Sequence, residues 1–458
     1  MSGERQEKQL RLAFETERRE DRRAAAPEGA EPPVAAREPE SPATIGPRME
    51  EVCERENLKR ALHRVKANHG SPGIDGMTVE ELPDYLRTNW PRHREELLRG
   101  RYRPSPVRRV EIPKPHGGVR KLGIPTVLDR FVQQAMLQVL QREYDPTFSN
   151  SSYGFRPGRS AHQAVASAQQ YVASGYRYVV DLDLEKFFDR VNHDFLMNQL
   201  AKRVRDTRML KLTRAFLNAG VMEDGLVSQT EEGTPQGGPL SPLLSNIVLH
   251  QLDCELERRG HRFVRYADDC NVYVQSARAG HRVMETLTAF ITKRLKLKVN
   301  AAKSAVARPW ERTFLGFSFT HDHYPKRRIA AEAMGRFEAR VRKLTGRTRG
   351  VSLVRMVREL GAYLLGWRAY FGFCQTPTIL RRLDKWIRRR LRAVVWKQWQ
   401  RPGTRFRELR KLGVNPKDAI LTARSNRGPW RATLTAALCW ALPNAYFDSL
   451  GLPHVAVP

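Results

Sequence analysis

Four aspartates in two short segments have the spacing to do chemistry. In YRYVVDLDLEKFFDR (residues 176–190) a strand through Val179 and Val180 delivers Asp181 and Asp183 on one face, because side chains alternate along a strand. In RFVRYADDCNVYV (residues 262–274) apolar runs flank an Ala-Asp-Asp-Cys centre with turn chemistry. The spacing predicts a hairpin with Asp268 and Asp269 at its tip. Carboxylates at strand ends facing a common cleft are what two-metal phosphoryl transfer requires, with a pair of Mg²⁺ ions about 4 Å apart. Mg²⁺ is held by few protein carboxylates, and substrate phosphates and water complete its octahedron. Taken separately, each segment also reads as a solvated turn or a strand end capping the next helix. The surrounding chain has to decide between these readings.

The chain has 458 residues, enough for two or three domains. Its formal net charge of +31 calls for an anionic partner, either nucleic acid or an acidic membrane. No apolar run approaches the roughly 18–20 residues of a membrane span, and MSGERQEKQLRLAFETERRE is charged throughout, unlike a signal peptide. The expected partner is therefore nucleic acid, met in the cytoplasm at the nucleoid. The five cysteines form no CxxC pair and no zinc-spaced cluster, so neither a zinc ribbon nor a disulfide framework is expected.

Residues 1–47 mix both charge signs and carry a Pro/Ala/Glu-rich run, the composition of a disordered tail. Residues 48–105 form an N-terminal extension that opens on a helical stripe through Val52, Leu58, Leu62 and Val65. Short strands then alternate with helical patterns, which places a mixed α/β region at 106–325. Residues 326–431 hold 29 Lys plus Arg against 6 Asp plus Glu, so most of the surplus charge lies there. Met356, Leu360, Tyr363, Leu364 and Trp367 repeat at helix spacing, as do Leu383, Trp386, Ile387 and Leu391. We expect a basic helical domain at 326–400 and a basic C-terminal segment at 401–458, a candidate for DNA binding.

These segments also carry a resemblance. Tyr266-Ala267-Asp268-Asp269 resembles the YADD box of reverse transcriptases, and the segment from Asp183 to Asp189 (DLEKFFD) resembles their first catalytic box. GTPQGGPLSP (233–242) resembles the PQG box. IPKP from Ile112, RKLGIP (120–125), YGFRPGRS (153–160), Lys303 and FLGF from Phe314 follow the family's order. GIPTVLDRFVQQA, FRPGRSAHQA, TPQGGPLSPLLSNI and Trp367-Arg368-Ala369-Tyr370-Phe371 are similar to the proteins encoded by bacterial group II introns. The match covers roughly residues 48–400. It implies an α+β right-hand polymerase, with fingers and palm followed by an all-helical basic thumb, the maturase domain X.

The resemblance implies roles residue by residue. Asp183, Asp268 and Asp269 would form the metal-binding triad for two Mg²⁺ ions, with the backbone carbonyl of Leu184 as a further ligand. Asp183 is preferred over Asp181 because the family's gate aromatic stands five residues past the catalytic aspartate, at Phe188, where a bulky ring would exclude a ribose 2′-hydroxyl. Asp189 would be structural and pair with His193. Gln236 and its neighbouring glycines would contact the incoming nucleotide. Arg108, Lys114 and Arg120 recur every six residues across two strands and would clamp its triphosphate. Lys303 would protonate the leaving pyrophosphate. The run Arg388, Arg389 and Arg390 would face RNA, whereas the tryptophan stripe reads as core. Many relatives end in an HNH endonuclease with paired cysteines. Without those pairs this chain is expected to lack second-strand cleavage and to prime cDNA synthesis from a nascent strand or another 3′ end.

The function implied is an RNA-directed DNA polymerase that binds its intron RNA in a ribonucleoprotein, assists splicing as a maturase and supports mobility, using dNTPs and a DNA target or primer. The competing readings are an RNA-binding splicing factor with a vestigial polymerase site and a domesticated reverse transcriptase in defence or repair.

Overall fold

The computed structural model describes residues 46–113, 119–223, 226–228, 233 and 237–456. All but the last two positions of the expected tail, together with Lys114 and Gln236, lie outside them. The chain divides into two compact units, one ending at Phe314 and the other beginning at Leu315.

The first unit carries two antiparallel-based sheets against helices. In one, β1 (Val107–Pro113) pairs antiparallel with β2 (Val119–Ile124) and parallel with β4 (Val221–Glu223), which is followed by β5 (Leu226–Ser228). In the other, β3 (Tyr178–Leu182), β6 (Arg262–Tyr266), β7 (Asp269–Val274) and β8 (Ala305–Ala307) are arranged in the order β6-β7-β3-β8. Alternation decides what each face of this second sheet does. Val180, Leu182, Phe263, Cys270 and Val272 point into one apolar core, which leaves Asp181, Tyr266, Asp269 and Asn271 on the opposite face by register.

Helices complete that core. Helix α1 (Val127–Tyr144) is N-capped by the Thr126 hydroxyl, which accepts from the Asp129 amide, and it buries Phe131, Val132, Ala135, Met136 and Val139. Helix α2 (Ser241–Arg258) starts with Pro at its first turn and is buried along most of its length, including Leu243, Ile247, Leu252 and Asp253. The arrangement is the α+β fingers and palm expected from the sequence.

The second unit opens with a short hairpin, β9 (Phe317–Phe319) and β10 (Arg327–Ile329), and continues as helices. The long ones are α3 (Ala331–Leu344), α4 (Leu353–Phe371) and α5 (Pro377–Gln398). Met356, Leu360, Leu364 and Trp367 of α4 and Leu383, Ile387 and Leu391 of α5 meet in one core, as their helical spacing requires. Trp396 is fully buried and Trp367 nearly so, so the tryptophan stripe is packing. Leu409, Leu438, Phe447 and Val455 join the same core, which therefore runs through residue 400 without a break.

Candidate active site

The β6–β7 hairpin closes on two residues. Tyr266 pairs with Asp269, which leaves Ala267 and Asp268 as the turn. Ala267 adopts φ +58°, a left-handed conformation that alanine rarely takes and that must be held from outside. Arg265 holds it from below. This side chain is fully buried, donates from Nη1 to the Ala267 carbonyl (2.9 Å) and to Asn246 Oδ1 (2.9 Å), and forms a two-pronged pair with Asp253 of α2 (2.7 and 2.5 Å). The charge is tolerated there because all three partners are acceptors with good geometry; stranding one member of such a pair costs about 3–5 kcal/mol. The YGF segment closes the other side. Gly154 lies so close that a Cβ would stand 2.3 Å from the Ala267 nitrogen, and its carbonyl accepts from Asn246 Nδ2 (2.9 Å).

Asp183 follows β3, two residues beyond Asp181. Its backbone carbonyl accepts from the Asn300 amide (2.8 Å), its amide donates to Ser304 Oγ (3.0 Å), and its Oδ2 accepts from Asn300 Nδ2 (2.9 Å). Lys303 Nζ stands 3.8 Å from that same oxygen. Leu184 is buried and bridged to Val299. Asp181 faces the same side but is engaged with the Arg312 guanidinium (2.8 and 2.6 Å), which also donates to the Lys303 carbonyl (2.7 Å). Arg312 thus ties the Lys303 loop to β3.

The electrostatics show how closely these groups gather. Burial and then the charges of Asp268, Asp181 and Asp183 push the Asp269 carboxyl up to about 7, against the pull of Lys303. Burial also raises Asp181, although Arg312 opposes it. Among the described residues no three His, Cys, Asp or Glu side chains stand as a finished metal cage. Like charges repel, and Asp183 leans on Asn300 and Lys303 instead. Hard carboxylate oxygens whose mutual repulsion a cation would relieve nevertheless fit a divalent ion such as Mg²⁺.

Around this centre, Phe188 sits half-buried in a single 3₁₀ turn (Phe187–Asp189), edge-on to Phe187 at 5.2 Å. Gly233, at φ +96°, packs where a Cβ would meet the Phe188 carbonyl at 2.9 Å. His193 does not pair with Asp189 as expected. Its two ring nitrogens face Asn218 Oδ1 (3.2 Å) and the Gly233 carbonyl (2.6 Å), because Asn218 and Gly233 converge on helix His193–Ala201. Gly237 fits against β2, where a Cβ would stand 2.5 Å from the Gly123 carbonyl. The register Arg108↔Ile124 and Ile112↔Arg120 places positions 108 and 120 on one face of the β1–β2 hairpin. The Arg108 Nε is buried without a partner there.

The arginine run of α5 needs a correction. Arg388 is 1% exposed and its guanidinium is committed to Asp384 (3.2 Å) and Asp448 (2.5 Å), so it faces the core and not RNA. It lies one residue past Ile387 and three before Leu391, inside the apolar stripe. Arg389 and Arg390 are half-buried. Arg389 covers the Trp430 ring at 4.1 Å and donates to Thr433; Arg390 covers Trp386 and donates to Thr345. The exposed cations of this helix are Arg381, Arg382, Lys385 and Lys397.

The sequence reading missed Arg265, Asp253, Asn246 and Arg312. One signal was available: Arg265 shares the core-facing side of its strand with Phe263, and a buried arginine needs a buried acid.

Both units of the chain are similar to known proteins. The family model described as reverse transcriptase (RNA-dependent DNA polymerase) matches residues 112–319, and that of the group II intron, maturase-specific domain matches residues 334–413. The chain is 42% identical over 193 residues to protein YkfC of Escherichia coli (strain K12), covering 41% of this chain and 51% of that protein. It is 41% identical over 180 residues to the group II intron-encoded protein LtrA of Lactococcus lactis subsp. cremoris, covering 39% of this chain and 28% of that one. Similarity to an uncharacterized 91 kDa protein in the cob intron of Schizosaccharomyces pombe is 33% over 210 residues, or 44% and 25% of the two chains. The matched stretch spans about half of YkfC and about a quarter of the other two. With a polymerase-type palm, a reverse transcriptase match over it and a maturase-specific match beyond it, the chain belongs to the group II intron reverse transcriptase/maturase family.

Proposed function

We propose that this protein is an RNA-directed DNA polymerase that binds group II intron RNA, assists its splicing and supports its mobility. The observation that carries the reading is the gathering of Asp183, Asp268 and Asp269 at one sheet edge, where burial and then the neighbouring charges push the Asp269 carboxyl up to about 7. Asp183, Asp268, Asp269 and the Leu184 carbonyl would hold two Mg²⁺ ions, which supply activation of a primer 3′-hydroxyl and neutralisation of the leaving pyrophosphate. Lys303, beside Asp183, is suited to pair with that pyrophosphate and give it a proton. Phe188 would stand against a ribose 2′-hydroxyl, and Gln236 would contact the incoming dNTP. Arg108, Lys114 and Arg120 would neutralise the triphosphate. Arg265 keeps the Ala267–Asp268 turn in place, so that both aspartates are presented without rearrangement.

RNA affinity would come from the basic second unit, through exposed cations such as Arg381, Arg382 and Lys385, with Arg389 and Arg390 at their margin. The DNA target would engage the basic stretch after residue 400. No helix among the described residues is long and apolar enough to cross a membrane, and the working site would be the bacterial nucleoid. Primer extension tests the polymerase reading. With poly(rA), oligo(dT), Mg²⁺ and dTTP the protein should lengthen the primer, and absence of incorporation would rule that reading out.

A further inference from the structure

Phe155 is a large apolar residue in a place that suits neither its size nor its backbone. Its φ is +59°, a region phenylalanine rarely enters, and the residue is 46% exposed. Burial therefore does not account for the ring. Nor is the segment loose. On one side Gly154 is pressed onto the Ala267 nitrogen and bonded to Asn246, and the Tyr153 amide donates to the Arg265 carbonyl (2.9 Å). On the other side Arg156 is buried and donates to Asp145 Oδ1 (2.8 Å), the Asp145 carbonyl (2.9 Å) and the carbonyls of Ser149 (2.7 Å) and Ser152 (2.9 Å). The neighbours fix an unfavourable conformation whose visible result is an aromatic ring held out to solvent, and strain kept in this way is characteristic of functional positions.

Its surroundings indicate the ligand. The Phe155 ring lies 6.5 Å from that of Tyr266, tilted by 42°. Tyr266 pairs across the hairpin with Asp269 and shares its face of the sheet. Along that sheet the two ends differ in chemistry. At the β3–β8 end Lys303 brings a cation to Asp183, where phosphate suits. At the β6 end stand two rings without a formal charge. Planar side chains beside a nucleic-acid reaction centre take bases and sugars, since every base has a π-face.

We propose that Phe155 and Tyr266 form a platform for the sugar and base of the nucleotide at or next to the primer 3′ end. The proposal rests on the polymerase reading for the identity of its ligand, and it makes Phe155 a substrate-contacting residue. The test uses Phe155→Gly, which suits a positive φ and should leave the melting temperature unchanged or raised. The readouts are equilibrium binding of a fluorescent DNA primer annealed to an RNA template and the KM values of primer extension. We expect the hybrid to bind about 5- to 30-fold more weakly, with its KM raised to match and the KM for dTTP unchanged. Phe155→Tyr should retain binding. Hybrid affinity within twofold of the wild type in Phe155→Gly, an effect confined to dTTP, or equal damage from Phe155→Tyr would overturn the platform. If the wild type binds hybrid but incorporates nothing, while Phe155→Gly binds it more weakly, the polymerase reading fails and the platform stands. A wild type that binds no hybrid defeats both.

Discussion

The two units of this protein bury charge in opposite ways. In the second unit Arg388 is enclosed by Asp384 and Asp448, and Asp384 also accepts from the amides of Val455 (2.8 Å) and Ala456 (2.9 Å). Each charge there has a countercharge or a donor, so the cluster serves as a clasp between α5 and the last residues described. In the palm Asp269 is buried among Asp268, Asp181 and Asp183, with Lys303 opposing them. The same low dielectric that strengthens the clasp makes this second arrangement costly. Compensated charge acts as scaffold, and uncompensated charge marks a place kept for a ligand. The palm contains its own control, because Arg265 and Asp253 are as deeply buried as Arg388 and fully compensated. Arg265 works by holding a turn and never meets substrate.

Removing a carboxylate of the palm cluster should abolish chemistry and spare the fold. Asp268→Ala is expected to lower dTMP incorporation at least about 10³-fold, about 4 kcal/mol of barrier, with RNA binding near the wild-type level in a gel shift. Parallel loss of RNA binding would show that the acid was structural and would break the contrast. Removing a compensated charge should do the reverse. Arg388→Ala removes the cation that Asp384 and Asp448 share and is expected to cost up to about 3–5 kcal/mol of stability, seen as a lowered denaturant midpoint. A variant as stable as the wild type would mean that the clasp carries no weight.

A smaller effect sharpens the palm's side of the comparison. Phe188→Ala is expected to relax discrimination between dTTP and UTP about 10- to 100-fold, the range that steric exclusion by one side chain supplies. Stability should fall only modestly, because the ring is half-buried. Discrimination unchanged in a competition assay would return Phe188 to the core.

These contrasts also explain what was legible in the sequence. The β6–β7 hairpin and the position of Asp183 follow from local patterns: alternation, a turn between apolar runs, and a strand that ends in carboxylates. The helical second unit follows from the 3.6-residue spacing that buries Leu360, Leu364 and Leu391. Pairings remote in sequence were not legible. Arg388 looks like part of a surface run, and only the return of the chain at Asp448 and His454, 60 and 66 residues later, makes it interior. Asn300 and Ser304 on Asp183, and Gly154 behind Ala267, depend equally on long-range packing. The residues that hold the site are less visible in sequence than those expected to act in it, since holding depends on who the neighbours are.

The cost of the uncompensated acid should be measurable as a pH dependence. The Asp269 carboxyl is pushed up to about 7 in the folded protein from an ordinary value of 3.8, so across that interval the folded state binds the proton that the unfolded state has released. Stability tied to this group is therefore greatest below about pH 4, declines as pH rises, and is fully lost above about 7. Neighbouring acids share the effect, so the single-residue contribution is on the order of 2 kcal/mol. Other carboxylates impose their own pH dependence, and subtracting the Asp269→Asn curve from the wild-type curve cancels them. In metal-free buffer at pH 8 Asp269→Asn should be the more stable protein by that amount, and the advantage should vanish near pH 4. Millimolar Mg²⁺ at pH 8 should close the gap by stabilising the wild type more than the variant, because a bound cation offsets the repulsion that the substitution removes. A difference curve flat from pH 4 to 8, or an equal response of both proteins to Mg²⁺, would mean that Asp269 is already compensated and that the palm differs from the clasp in degree only.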